Sequence, residues 1–201
     1  MCQNPERWRR DLALKLEWAI RSLPLPVLTP MTLDELNRRP SPSAEAEFLK
    51  CCGSRRWASA MTAARPFADL DKLLTKADSA WWSLSSEGWL DAFRAHPKIG
   101  EKKAAAAQSE EARNWSAQEQ SGLRNAAADI MAALATGNQD YETRFGFIFI
   151  VCATGKSSEE MLAILKERLQ NDAETEIALA AEEQRKITRL RLEKLLRSEA
   201  G

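Results

Sequence analysis

The chain of 201 residues contains one histidine, His96. One imidazole cannot build a His-rich metal site. It can act as a general acid or base, because its ordinary pKa of ~6.5 lies near neutrality. Cysteine is also scarce: Cys2, Cys51, Cys52 and Cys152. Adjacent Cys51-Cys52 has neither zinc-knuckle nor CxxC spacing, so the cysteines read as free thiols in a reducing compartment. No charge excess exists, with 29 basic residues against 29 acidic. That excludes the broad basic face of a nucleic-acid or membrane-surface binder, while one or two local arginines can still hold a small anion. No apolar run approaches the ~20 residues of a membrane span. The first residues lack a secretory signal's apolar core, and Glu6, Asp11 and Glu17 argue against an acidic-poor transit peptide. Ser198-Glu199-Ala200-Gly201 is not a peroxisomal Ser-Lys-Leu ending. The expectation is an intracellular, soluble protein without nucleic-acid or membrane partners. Glycine is limited to eight residues while Ala, Leu, Glu, Lys and Arg abound, which favours helix.

What the chain does contain is helical periodicity. Trp8, Leu12, Leu16, Ala19, Ile20 and Leu23 share one stripe over residues 5–23, and Pro24, Pro26 and Pro30 then open an extended linker. Thr32-Leu33-Asp34-Glu35 is a capping box for a short helix that Pro40 and Pro42 cut off. Residues 43–63 read as helix with a break near Gly53, burying Phe48, Trp57, Ala60 and Met61. Arg65-Pro66-Phe67 makes a corner. Asp69 or Asp71 starts a helix through Leu73, Leu74 and Ala77 to Trp81-Trp82. Ser86 can cap the next helix, which carries Trp89, Leu90 and Phe93 to His96 and stops there, because Pro97 disfavours helical geometry at the residue before it. Tryptophan, with seven residues, is the one abundant large aromatic, and these residues read as core anchors with satisfied N–H groups.

Residues 101–114 carry no firm stripe and read as a connection. Ser116-Ala117-Gln118-Glu119 is a second capping box, followed by Leu123, Ala127, Ile130 and Leu134, with Gly137 and Asn138 suited to that helix's end. Tyr141 to Ala153 has strand propensity, but no second strand exists to pair with it, so tertiary context should make part of it helical. Ser157 or Ser158 starts a helix with Met161, Leu162, Leu165 and Leu169 on its apolar side. A last helix covers about residues 173–197, where Ile177, Ala180, Ala181, Gln184, Ile187, Leu190, Arg191 and Leu195 alternate with charge. The fold class is therefore all-α, a single irregular helical bundle of about seven to eight helices.

Several pieces in order resemble one family: Arg65-Pro66-Phe67, His96-Pro97, Ser116-x-x-Glu119-Gln120 with Gly122-Leu123, Tyr141-x-x-Arg144-Phe145-Gly146-Phe147-x-Phe149, and Lys186-Ile187-x-x-Leu190-Arg191-Leu192. The sequence is similar to OHCU decarboxylases, which act on 2-oxo-4-hydroxy-4-carboxy-5-ureidoimidazoline in urate breakdown. The similarity runs from about Met31 to Leu196. Residues 1–30, the N-terminal helix and Pro-rich linker, lie outside it; the similarity implies residues 31–197 as the decarboxylase-like domain, and no transthyretin-like hydrolase domain. It also implies an all-α, homodimeric carboxy-lyase that needs no metal or organic cofactor, takes a small-molecule ureide and delivers (S)-allantoin, with a peroxisomal address possible beside a cytoplasmic one. By the same resemblance His96, Glu119 and Arg191 are the catalytic residues. Substrate binding falls to Pro97, the turn Ser116, Ala117, Gln118, Glu119 and Gln120, the main chain of Phe149, Ile150, Val151, Cys152 and Ala153, and Arg191. The chain departs from the family pattern at Ile148, where many relatives have proline, and at Lys98-Ile99-Gly100. Phe48-Leu49-x-Cys51-Cys52-Gly53-Ser54 and Phe147-Ile148-Phe149 look like the plant or algal branch.

The residue types suit the chemistry. Loss of CO2 leaves an electron pair that the adjacent C–N unit must delocalise before one ring face is protonated. A cofactor-free site then needs a cation to orient the anionic substrate, donors where charge develops, and a proton-transfer group. Arg191 fits the first role with its planar fork, the N–H groups at the start of the Ser116 helix and the Gln120 amide the second, and His96 the third. Glu119 can orient His96 and raise its pKa, or can simply cap its own helix. Arg191 on a solvated helix face, paired with Glu182 or Glu183, is the plain alternative. Arg189 reads as surface, and Cys152 as a core residue rather than a nucleophile. Two other readings stay open: a non-catalytic helical adaptor using the 5–23 helix or an apolar groove, and a lyase or hydrolase acting on another ureide.

Overall fold

The computed structural model describes residues 30–96 and 117–196, with side chains described from Ala128 onward in the second span. Among these residues are eight helices: α1 (Leu33–Arg38), α2 (Ser41–Cys52), α3 (Arg55–Ala63), α4 (Leu70–Trp82), α5 (Ser86–Arg94), α6 (Ala117–Phe145), α7 (Ser158–Arg168) and α8 (Ala173–Leu195). The described residues contain no strand, only an isolated bridge between Met31 and Leu196. The fold is all-α, as the composition implies. None of these helices is long and apolar enough to cross a membrane. The 5–23 helix and the 101–114 connection fall outside the described residues.

The chain forms two compact units. The unit that carries His96 contains α1 to α5, residues 150–152 and α8. Its local starts are written in the sequence. Thr32 and Glu35 close the capping box of α1, each side chain accepting the other residue's backbone N–H. Ser54 caps α3 and Asp69 caps α4. Pro40 and Pro42 do more than end α1: they form the N-cap and first turn of α2, where a missing N–H removes no helical hydrogen bond. The α5 N-cap is Ser85, one residue before Ser86, which begins the helix.

Packing in this unit centres on aromatic anchors. Trp57 and Trp81 are buried, their indole N–H groups donating to Ala77 O and Ala181 O, each at 3.0 Å. Trp81 ties α4 to α8 across the unit, and Trp89 Nε1 donates to Trp81 O at 3.0 Å. Trp82 departs from the anchor pattern: it is 46% exposed, edge-on to Trp89 at 5.7 Å. Neighbouring positions on a helix lie about 100° apart, so Trp81 and Trp82 cannot both face one core. The same rotation leaves Ala60 half-buried and seats Ala58 in the core instead.

Arg65-Pro66-Phe67 is a structural corner. The Arg65 guanidinium donates to the carbonyls of Leu36 and Arg39 at 2.8 and 2.7 Å, satisfying free C=O groups at the end of α1. Asn37 locks the other side, donating to Phe67 O and accepting from Phe67 N–H at 2.8 and 2.9 Å.

The second unit contains, among the described residues, α6, residues 146–149, residues 153–157 and α7. Here one expectation is corrected. Gly137 and Asn138 do not end a helix; α6 continues to Phe145. Gly137 is needed for close packing, since a Cβ there would lie 2.8 Å from Leu165 Cδ2 of α7. Asn138 is buried and accepts the Phe149 N–H at 2.9 Å. The glycine that stops α6 is Gly146, at φ 79°, with its N–H on Glu142 O at 2.8 Å. The 141–153 stretch is thus helical as far as Phe145 and irregular afterwards. Tyr141 gathers Phe145, Phe147 and Phe149 at centroid distances of 4.7, 5.6 and 5.4 Å, and Arg168 lies 4.9 Å over the Phe149 ring. Ser157 and Glu160 form the α7 capping box.

Candidate active site

His96 follows the last turn of α5, its N–H donating to Phe93 O at 3.1 Å. The helix ends where Pro97 requires. What sets the ring's place is a close approach of α2. Gly53 terminates α2 at φ 84°, and a Cβ there would lie 2.5 Å from the Cβ of Ala95, the residue before His96. Only glycine allows this left-handed turn to sit against the end of α5.

The second side comes from α8. Gln184, Thr188 and Arg191 stand at i, i+4 and i+7, one stripe of the helix. Arg191 is half-buried and donates to the Cys51 carbonyl at 3.1 Å, one of the free C=O groups at the end of α2. It does not pair with Glu182 or Glu183. Glu182 is held by Arg185 at 2.8 Å, and Glu183 by Lys186 at 2.6 Å and by the Cys152 N–H at 2.7 Å. Arg189 binds Asp78 at 2.8 Å beside Arg185, stapling α8 to α4.

Burial dominates the electrostatics. The His96 ring is pushed down from 6.5 to about 4, first by desolvation and then by the Arg191 charge, with the Gln184 side chain opposing. At neutral pH it is therefore an uncharged imidazole, a base with a lone pair. The expected tuning near neutrality is not what its described surroundings produce. Burial pushes the Cys51 thiol up to about 12 and the Cys52 thiol to about 11, so both are neutral and inert beside Arg191. Burial also lowers the Arg191 pKa from its ordinary value, although a guanidinium stays charged in a protein. Two polar atoms of this cluster, His96 Nε2 and Gln184 Oε1, are buried without a hydrogen-bond partner among the described residues.

His96 and Arg191 thus come together within one unit. Gln184 joins them, a residue that the sequence pattern of the last helix includes without a role. Its signal was an amide set among alanine, leucine and isoleucine, since a buried amide demands partners. Pro97 and Ser116 lie outside the described residues. Ala117, Gln118, Glu119 and Gln120 form the first turn of α6, with side chains outside the description. Along 149–153, the Phe149 N–H is taken by Asn138 and the Cys152 N–H by Glu183, while the Ala153 carbonyl accepts from Lys156 N–H at 3.1 Å. Ile150 and Cys152 are buried, and Val151 and Ala153 half-buried.

An all-α fold whose single imidazole is half-buried beside a half-buried guanidinium defines a class: small helical proteins with a polar site on an inward helix stripe. The chain belongs to the OHCU decarboxylase family, whose model matches residues 37–193. It is 37% identical over 156 residues to the uric acid degradation bifunctional protein TTL of Arabidopsis thaliana, covering 78% of this chain and 48% of that protein. It is 35% identical over 144 residues to a 2-oxo-4-hydroxy-4-carboxy-5-ureidoimidazoline decarboxylase of Amia calva, covering 71% of this chain and 81% of that one. A crystal structure of OHCU decarboxylase in the presence of (S)-allantoin superimposes with a TM-score of 0.58 at 36% identity, covering 74% of this chain and 96% of the other. The chain spans about half the length of the Arabidopsis relative.

Proposed function

We propose that the protein is a carboxy-lyase that decarboxylates OHCU to (S)-allantoin with His96 as acid/base. The observation that carries this is the convergence of His96 and Arg191, an uncharged imidazole and a cation held on one side of the same unit. Arg191 orients the substrate carboxylate or a ureido oxygen through its planar fork. Neutral His96 takes the substrate hydroxyl proton. The C–C bond to the carboxylate breaks, CO2 leaves, and the electron pair passes into the adjacent C–N unit. The imidazolium then returns its proton to one face of the ring, which fixes the stereochemistry, and the ring nitrogen that took up the pair gains a proton from solvent. In this reading Pro97, Ser116, Ala117, Gln118, Glu119, Gln120 and the 149–153 main chain bind the substrate. Residues 31–197 form the catalytic domain, and residues 1–30 an added helix and linker.

The test is turnover of freshly generated OHCU, with allantoin formation followed by circular dichroism. His96→Asn should lose ~10²–10⁴ in rate, the usual contribution of one proton-transfer group. Wild-type protein no faster than buffer, or a His96→Asn rate equal to wild type, overturns the reading. The same reading includes a homodimer, checked by light scattering, and a peroxisomal address, checked by imaging a tagged full chain.

A further inference from the structure

Gln184 is fully buried on α8. Its amide nitrogen donates to Thr188 Oγ1 at 3.2 Å and to the Cys52 carbonyl at 3.5 Å. The Thr188 hydroxyl gives its own proton to the Gln184 main-chain carbonyl at 2.9 Å, so it can meet the amide only as an acceptor. Both amide protons therefore have acceptors. Turning the amide over would set its oxygen against two other oxygens, so the hydrogen-bond network fixes its orientation. Oε1 is left without a donor among the described residues, and the Gln184 side chain favours the protonated form of the His96 ring. Both Oε1 and His96 Nε2 are buried without partners among the described residues, a combination that a fold rarely leaves open away from a working site.

We propose that Gln184 is the positioning residue of His96: its buried amide oxygen, unpartnered among the described residues, is the acceptor to which an imidazole N–H turns, and so decides which ring nitrogen keeps its lone pair for the substrate. An amide oxygen held this way accepts only, so it selects one tautomer of the neutral ring. Arg191, at the other end of the stripe, is the charged group that acts on the ring from α8. From α2 come the Cys51 and Cys52 thiols, which burial keeps neutral. Arg55 and Arg56 of α3 are exposed, and on α5 Arg94 pairs with Asp91 at 2.8 Å on the surface. Gln184 is thus the neutral group that orients the ring without charging it. This role rests on the decarboxylase reading for its kinetic consequence only.

His96 is the only histidine in the chain, so isotope-labelled histidine in the full-length protein gives a single imidazole by NMR. Wild type should show one dominant neutral tautomer, titrating near pH 4. Gln184→Met keeps the volume and removes the acceptor, and should give mixed tautomers. Gln184→Glu sets a carboxylate against the ring, and should raise its titration midpoint by about one pH unit or more. In turnover, Gln184→Met should lower kcat ~10-fold with KM little changed, as expected when the base is misplaced and binding is not. Mixed tautomers in wild type, or an unchanged tautomer and midpoint in the folded variants, overturn the proposal whatever the turnover. A tautomer that responds to Gln184 in a protein that does not turn over OHCU upholds the positioning role and rejects the decarboxylase reading.

Discussion

Gly53→Ala perturbs the contact that seats His96. Two separate energies enter. At φ 84° an alanine occupies the left-handed region, costing about 1–2 kcal/mol. The new Cβ would also fall 2.5 Å from Ala95 Cβ and 3.4 Å from the Ala92 carbonyl oxygen. Ala95 has no rotatable side chain to move aside, so α5 must shift its end, which costs about another 1–3 kcal/mol as overpacking does elsewhere. The sum is about 2–5 kcal/mol, read as the change in unfolding free energy in urea. The two parts separate in a double-mutant cycle, because Ala95→Gly removes the atom that clashes and leaves the left-handed strain. The double variant should recover about 1–3 kcal/mol over additivity. The folded fraction of Gly53→Ala should also lose OHCU turnover, since the displaced residue is the one before the imidazole. A destabilisation below about 0.5 kcal/mol, or additivity within that margin, would refute the claim that this contact places the ring.

Acid should weaken the fold through the same histidine. The unfolded chain takes up the imidazole proton near 6.5 and the folded chain near 4. Between these values the unfolded state binds more protons, so the stability contribution is complete above pH 6.5 and is lost as pH falls toward 4, by about 3 kcal/mol in all. Urea unfolding at pH 7 and pH 4.5 should therefore show a smaller acid loss in His96→Asn than in wild type, and equal losses would contradict it. Arg65→Met should destabilise by about 2–4 kcal/mol through loss of its charged hydrogen bonds to the α1 carbonyls. Its kcat per folded molecule should stay near wild type, and a kcat loss without destabilisation would show that the corner serves the site directly.

The resemblance was carried by motifs with different physical duties. His96 of His96-Pro97 and Arg191 of Leu190-Arg191-Leu192 come together in one unit. Arg65-Pro66-Phe67 is an architectural corner whose arginine closes the end of α1. A sequence motif reports that a position is specified, whereas the partner of its side chain distinguishes a helix cap from a substrate clamp.

Local chemistry settled the starts of helices in advance. Thr32, Asp69 and Ser157 cap where their side chains can reach a backbone N–H three residues on, a relation contained in the chain itself. The all-helical class followed from the scarcity of glycine and from stripes of 3.6-residue period. Tertiary contact decided the rest. Gly137 lies inside a helix because Leu165 occupies the space a side chain would need, and Gly146, left-handed, became the stop. Gln184 acquired meaning only when α8 set it against the end of α2, with its amide oxygen buried and unpartnered among the described residues. The imidazole's charge was likewise beyond sequence reasoning, because desolvation depends on which helices pack over a group. Residues far apart in the chain share a dielectric environment only after folding.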